Sequence, residues 1–225
     1  DSAFEDRWID FANNEGKSTG AFCSSPYGSH SYILISWTQR MNEVFVLAHE
    51  LGHAGHFRNA HKHQSYFNSE SSTYFVESPS TMNEMLMANY LLKNSNDPRF
   101  KRWVISTIVA RTYYHNFVTH LLEAAYQRKV YELVDAGESV NATILNDLKR
   151  SVLEEFWGDD VELNKGAELT WMRQPHYYMG LYPYTYSAGL TISTQVSQRI
   201  LHEGQLASAI TSSEGSQGID CLLQG

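Results

Sequence analysis

"VLAHELGHAGHF", residues 46–57, sets three histidines and a glutamate into a run otherwise made of apolar residues and glycine. On a helix, His49 and His53 stand four apart, so their side chains lie one above the other and reach a single point. Glu50 projects to the adjacent position. Two neutral imidazoles so placed can bind zinc, and the glutamate, which is not a ligand, can take a proton from the water that zinc activates. The pattern is short enough to arise by chance, so its surroundings must decide.

Those surroundings are helical. Asn42 can cap a helix running through Arg58, with Val44, Phe45, Leu47, Ala48, Leu51 and Ala54 giving it a wide apolar surface. Gly52 and Gly55 each cost such a helix about 1 kcal/mol relative to alanine, which suits a face that another backbone or a substrate passes closely. In "FVESPS", 24 residues beyond His53, Glu77 belongs to a second helical pattern over 75–93, and Pro79, tolerated in a first turn, puts its start close to Glu77. A carboxylate there completes a His, His, Glu set and leaves a fourth position open for water. His56, seven residues after His49, competes as third ligand; its other place is behind the ligands or against the loop. Glu84, seven after Glu77, either orients a histidine from behind or is a solvated helix glutamate. His61 and His63 fall in the polar "RNAHKHQSYFNSESST", read as a surface loop.

Farther out, "SYILISW", residues 31–37, reads as an edge or hairpin strand after the turn-rich "SSPYGSHS". Asp97 and Pro98 open a long helical pattern that Gly137 ends, and another helix runs from about Thr143 to Gly158. "QPHYYMGLYPYTYSAGL", residues 174–190, then gathers His176, Tyr177, Tyr178, Tyr182, Tyr184 and Tyr186, all with polar tips. Aromatics at helical spacing are more often core than catalytic, but a core favours Phe and Leu. Tyr O–H and His N–H groups can neutralise an oxyanion, and Gly180 and Gly189 would let the segment move over a substrate. The last residues, 207–225, lose the helical period and read as an irregular tail.

The predicted fold is therefore mainly α, with a small β-sheet or hairpin near the N-terminus. At 225 residues with 42% hydrophobic content the chain can build a proper core. Its 17 basic residues against 25 acidic, a net charge of -8, argue against a nucleic-acid surface. No apolar run is long enough to cross a bilayer. Cys23 and Cys221 lie at opposite ends, suggesting neither a disulfide framework nor a cysteine zinc site, so a reducing, cytoplasmic location is expected.

Taken together, "HELGHAGHF", "FVESPSTMNE" and "PHYYMGLYPYTYSAG" resemble the catalytic region of the oligoendopeptidase F family, relatives of thimet oligopeptidase and neurolysin. The likeness runs from about "RWIDFANNEGKSTGAF" to "SAGL". It implies a helical zincin-type catalytic domain over residues 1–206, holding one Zn2+ per chain and cleaving short unfolded peptides in a channel between two mostly helical halves. His49, His53 and Glu77 would be the ligands and Glu50 the general base. His176 and Tyr186 would contact the substrate carbonyl and oxyanion, with Tyr182 or Tyr184 sharing the role, and "SYILISW" would be the edge to which a peptide adds. Family members are longer, so the chain is expected to be a C-terminal catalytic portion, partnered by an N-terminal helical half. The alternative is a non-catalytic, metal-stabilised helical fragment that binds a peptide or a partner half; an esterase is a weaker third reading.

Overall fold

Alternation decides the first element. In the computed structural model of the protein, which describes residues 2–17 and 20–203, β3 (Tyr32–Ile35) buries Ile33 and Ile35 and leaves Tyr32 exposed, the period-two pattern of a half-buried strand. It is not an edge. β1 (Ile9–Asp10) pairs parallel on one side, Ile9 opposite Ile33, and β2 (Ala21–Ser24) pairs antiparallel on the other, Phe22 opposite Leu34. β3 is thus the central strand: the hairpin alternative holds, since β2 and β3 are consecutive antiparallel neighbours joined through the turn-rich 25–31, and the edge alternative is corrected. The two flanking strands have two and four residues, too short to show a periodicity of their own.

Helix α2 (Met41–His63), preceded in the chain by the single-turn α1 (Ser2–Glu5), packs on this sheet, closing a core of Trp8, Ile33, Ile35, Leu47 and Ala54. It begins one residue before Asn42, and the acceptor at its start is Glu43, whose carboxylate receives the Arg40 backbone N–H and both the N–H and the hydroxyl of Thr38. It also runs five residues past Arg58. His61, Lys62 and His63 occupy its last turn, where cations favour the negative end of the helix dipole, so His61 and His63 are helical, not in a loop.

Helix α3 (Thr73–Asn94) likewise starts earlier than expected, with Ser72 accepting from the Tyr74 N–H at 3.3 Å. Pro79 therefore lies beyond the first turn. Against it lies Gly52, where a Cβ would come within 2.5 Å of the Pro79 carbonyl oxygen and 2.6 Å of the Ser80 Cα. That contact is the close backbone approach for which the glycine was expected. Gly55, by contrast, faces open space.

α4 (Pro98–Thr107) is capped by Asp97, which accepts the Arg99 N–H at 2.9 Å, and buries Val104. The expected continuous helix to Gly137 is interrupted by a π-helical stretch, Ile108–Thr119, before α5 (His120–Asp135). α6 (Ala142–Trp157), capped by Asn141 and closed by Gly158, matches the expected bounds. A short turn at Pro175–Tyr178 leads to α7 (Pro183–Glu203). The chain is mainly α with a small three-stranded sheet, as its sequence predicts. It divides into two compact units, one of residues 1–112 with the chain from 188 onward and one of 113–187. The tail over 207–225 and its boundary lie outside the described residues. No helix among the described residues is long and apolar enough to cross a membrane.

Candidate metal centre

One turn of α2 aligns His49 above His53, and α3 lays Glu77 beside them. His49 Nε2 lies 3.3 Å and His53 Nε2 3.4 Å from the same Glu77 oxygen, Oε2. One ligand atom from each of the three residues falls within 4.8 Å of the others. Donor atoms about 2.0–2.2 Å from a tetrahedral zinc stand roughly 3.4 Å apart. The two distances to Glu77 Oε2 match that spacing, and two imidazoles with one carboxylate are a donor set that zinc accepts.

The groups behind these three side chains hold them there. Glu84 Oε1 accepts from His49 Nδ1 at 2.6 Å, and the Thr112 hydroxyl donates to Glu84 Oε2 at 2.5 Å. With Nδ1–H so engaged, His49 presents its Nε2 to Glu77, the carboxylate–histidine arrangement seen behind imidazoles that bind metals. Of the two readings left open for Glu84, the structure selects this one. Glu77 is steadied by Ser80, whose hydroxyl lies 3.0 Å from Oε2 and 2.9 Å from the Glu77 carbonyl. His53 has no such support: its Nδ1 is buried and has no hydrogen-bond partner among the described residues.

The electrostatics are those of a site built for a cation. Burial works against a charged His49, but the Glu77 and Glu84 carboxylates outweigh it and raise its pKa to about 10. Burial also penalises ionised Glu77, yet His49 and His53 hold its carboxyl well below the usual range. Glu50, only 6% exposed, is pushed up by burial, with His49 and His53 opposing the shift. A carboxylate raised in this way is a better proton acceptor near neutrality than an ordinary one.

His56 stands apart from the three ligands. It packs against the rings of Phe57 and Phe75, and burial lowers its pKa to about 4. Gly189, expected to serve mobility, instead permits contact: a Cβ there would lie 2.9 Å from the Glu77 Cβ, so α7 presses directly on the ligand's backbone.

His176, Tyr182 and Tyr186 come together within the unit of residues 113–187. The His176 ring stacks on Tyr182 at 5.5 Å and meets Tyr186 at 5.9 Å, and the Tyr186 hydroxyl lies 3.5 Å from that of Tyr182. Beneath them the His120 ring stacks on Tyr186 at 4.3 Å, and its Nδ1 pairs with Glu123 at 2.7 Å. Neither His120 nor Glu123 was anticipated, because an apolar helical pattern gave no reason to single them out.

Comparison with known proteins points one way. The profile of Peptidase family M3 matches residues 1–224. Oligopeptidase PepF of Bacillus subtilis is 31% identical over 203 residues, 90% of this chain and 30% of that protein. A solved chain from Chlamydophila abortus is 27% identical with a TM-score of 0.71, covering 93% of this chain and 36% of that one. Oligoendopeptidase-F from Enterococcus faecium shares the fold, with a TM-score of 0.61 at 22% identity over 76% of this chain and 30% of that one. The chain spans about a third of the length of the relatives it matches.

Proposed function

Because this chain belongs to peptidase family M3, we propose that it carries the metal centre of a zinc endopeptidase that hydrolyses short, unfolded oligopeptides in the cytoplasm. The observation that carries the reading is the convergence of His49 Nε2 and His53 Nε2 on Glu77 Oε2, with buried Glu50 on the next position of the same helix. One zinc per chain, held by these three residues, would supply Lewis acidity and a nucleophilic water at neutral pH.

The chain's own residues do the rest. Glu50 takes the proton from the attacking water and later returns it to the leaving amine, a role its raised pKa suits. Glu84 keeps His49 in the tautomer whose Nε2 is free to coordinate. The expected donation by His176 and Tyr186, with Tyr182, to the developing oxyanion belongs to the same proposal and rests on the family resemblance. With β3 paired on both sides, a peptide that adds as a strand would take the outer edge of β1 or of β2. The cytoplasmic placement rests on the cysteine content, two in 225 residues.

Elemental analysis is the first test: about one zinc per chain, lost in Glu77→Gln, supports the ligand set, whereas no zinc in a folded protein returns the histidines to the core. Glu50→Gln should then keep the zinc and lose a factor of roughly 10²–10⁴ in peptide turnover. Equal turnover would remove Glu50 from the role. The chain's length relative to its relatives favours one second reading, a metal-stabilised portion that binds peptide or a partner half without cleaving it. Activity that appears only on mixing with an N-terminal half supports a divided enzyme; zinc without activity in either supports the binder.

A further inference from the structure

Toward the C-terminal end of α2 lies a cavity of about 220 Å³, lined by Trp8, Ser29, His30, Ser31, Arg58 and His61. None of the six is acidic, although acidic residues outnumber basic ones 25 to 17 in the whole chain. Arg58 is held in place: its guanidinium carbon lies 5.5 Å over the Trp8 ring, and one Nη donates to the Ser2 hydroxyl at 3.2 Å. A guanidinium has five N–H donors, so most of its capacity is uncommitted. Among the described residues no carboxylate pairs with Arg58 or His61.

The lining residues His30 and Trp8 are also held in place. His30 lies parallel to Trp8, with ring centroids 5.6 Å apart, and its Nδ1 donates to the Ser31 carbonyl at 2.7 Å, which fixes the imidazole. Trp8 itself is 8% exposed, and its indole N–H is buried with no acceptor among the described residues. A buried donor left unpaired costs about 1–3 kcal/mol. The orphaned Trp8 indole N–H, an unopposed guanidinium and the lack of any carboxylate in the lining define a site that wants an acceptor of negative charge.

We propose that this cavity binds a carboxylate or phosphate oxyanion, gripped by Arg58 over the Trp8 ring. At about 30 Å³ per water the cavity has room for roughly seven, more than a bare oxyanion needs. The anion is therefore carried on a small organic body, such as the terminal residue of a peptide or a phosphate monoester. The site requires neither zinc nor Glu50, so it stands or falls independently of the peptidase reading.

The test follows the Trp8 indole signal of ¹⁵N-labelled protein, assigned with Trp8→Phe, during titration with N-acetylglycine, its uncharged amide, or phenyl phosphate at fixed pH and ionic strength. At least one anion should give a saturable shift, the amide none, and Arg58→Ala should weaken binding at least tenfold. Arg58→Gln repeats the measurement without a cavity, and unchanged signals from the other four tryptophans certify either variant as folded. Saturation by N-acetylglycine alone identifies a carboxylate site, and by phenyl phosphate alone a phosphate site. No saturation by either anion, equal response to the amide, or undiminished affinity in both folded variants overturns the proposal.

Discussion

Gly52 and Gly55 sit three residues apart on α2 and answer oppositely to an added methyl group. At Gly52 the methyl meets the Pro79 carbonyl at 2.5 Å; at Gly55 it meets nothing within 4 Å. Gly52→Ala should therefore destabilise the protein by about 1–3 kcal/mol through overpacking, and Gly55→Ala should stabilise it by roughly 0.5–1 kcal/mol through helix propensity. Urea unfolding midpoints of the two variants decide it, and like signs would mean that the helix contact is misplaced. Glu84→Gln should leave zinc bound but lower its affinity by about 10–100-fold, read by competition with a chelating dye; unchanged affinity would reduce Glu84 to a structural residue. His49, Glu50 and His53 were legible in the sequence because their spacing is local to one helix. Thr112, 28 residues from its partner Glu84, was not, since no short-range pattern joins them.

Among the elements, the π-helical stretch Ile108–Thr119 explains the largest misreading. Wider hydrogen-bonded rings turn each residue through roughly 80° instead of 100°, so twelve residues fall behind an α-helical face by more than half a turn. Beyond the stretch apolar positions no longer mark the buried face: Leu121 is 46% exposed, while His120, Glu123, Tyr126 and Gln127 are buried. On α6, Lys149 is buried, with its Nζ donating to the Tyr177 hydroxyl at 2.6 Å. Burial lowers its pKa from 10.5 to about 8. Between those values the unfolded chain holds a proton that the folded chain has released, so the Lys149 contribution to stability grows as pH rises from 8 toward 10.5. It amounts to about 3 kcal/mol at most. Tyr126 and Tyr177, both raised by burial, act with the opposite sign above pH 10. The difference between wild type and Lys149→Met, followed by urea unfolding from pH 8 to 9.5, isolates the lysine; a difference that does not change with pH would show that Lys149 is charged throughout.

At the scale of the whole molecule, zinc should act by mass action. At a thousand times its Kd the ion adds about 4 kcal/mol to the stability of whatever folds around it. Hydrogen exchange should slow on zinc addition in α2 and α3, and EDTA should reverse the effect; unchanged protection there would refute the ligand set. The mainly helical class and the N-terminal sheet could be read from the sequence because periodicity reports burial on one face. The division into two units could not, because its boundaries at 112/113 and 187/188 fall inside continuous helical stretches with no change of composition.

The pressure of Gly189 on Glu77 also has a consequence in time. Both histidines and Glu77 are synthesised before the helix that pins the Glu77 backbone, which arrives 112 residues later. At about 5–20 residues per second, a ribosome needs on the order of ten seconds to cover that interval. Through it, α2 and α3 can pair and bring His49, His53 and Glu77 together, with Ser80 on the carboxylate but the Glu77 backbone not yet pressed by α7. An ion bound then would sit in a site that α7 has not yet closed, so on the proposed function the moment of metal loading, as well as the availability of zinc, would bear on which ion the finished protein keeps.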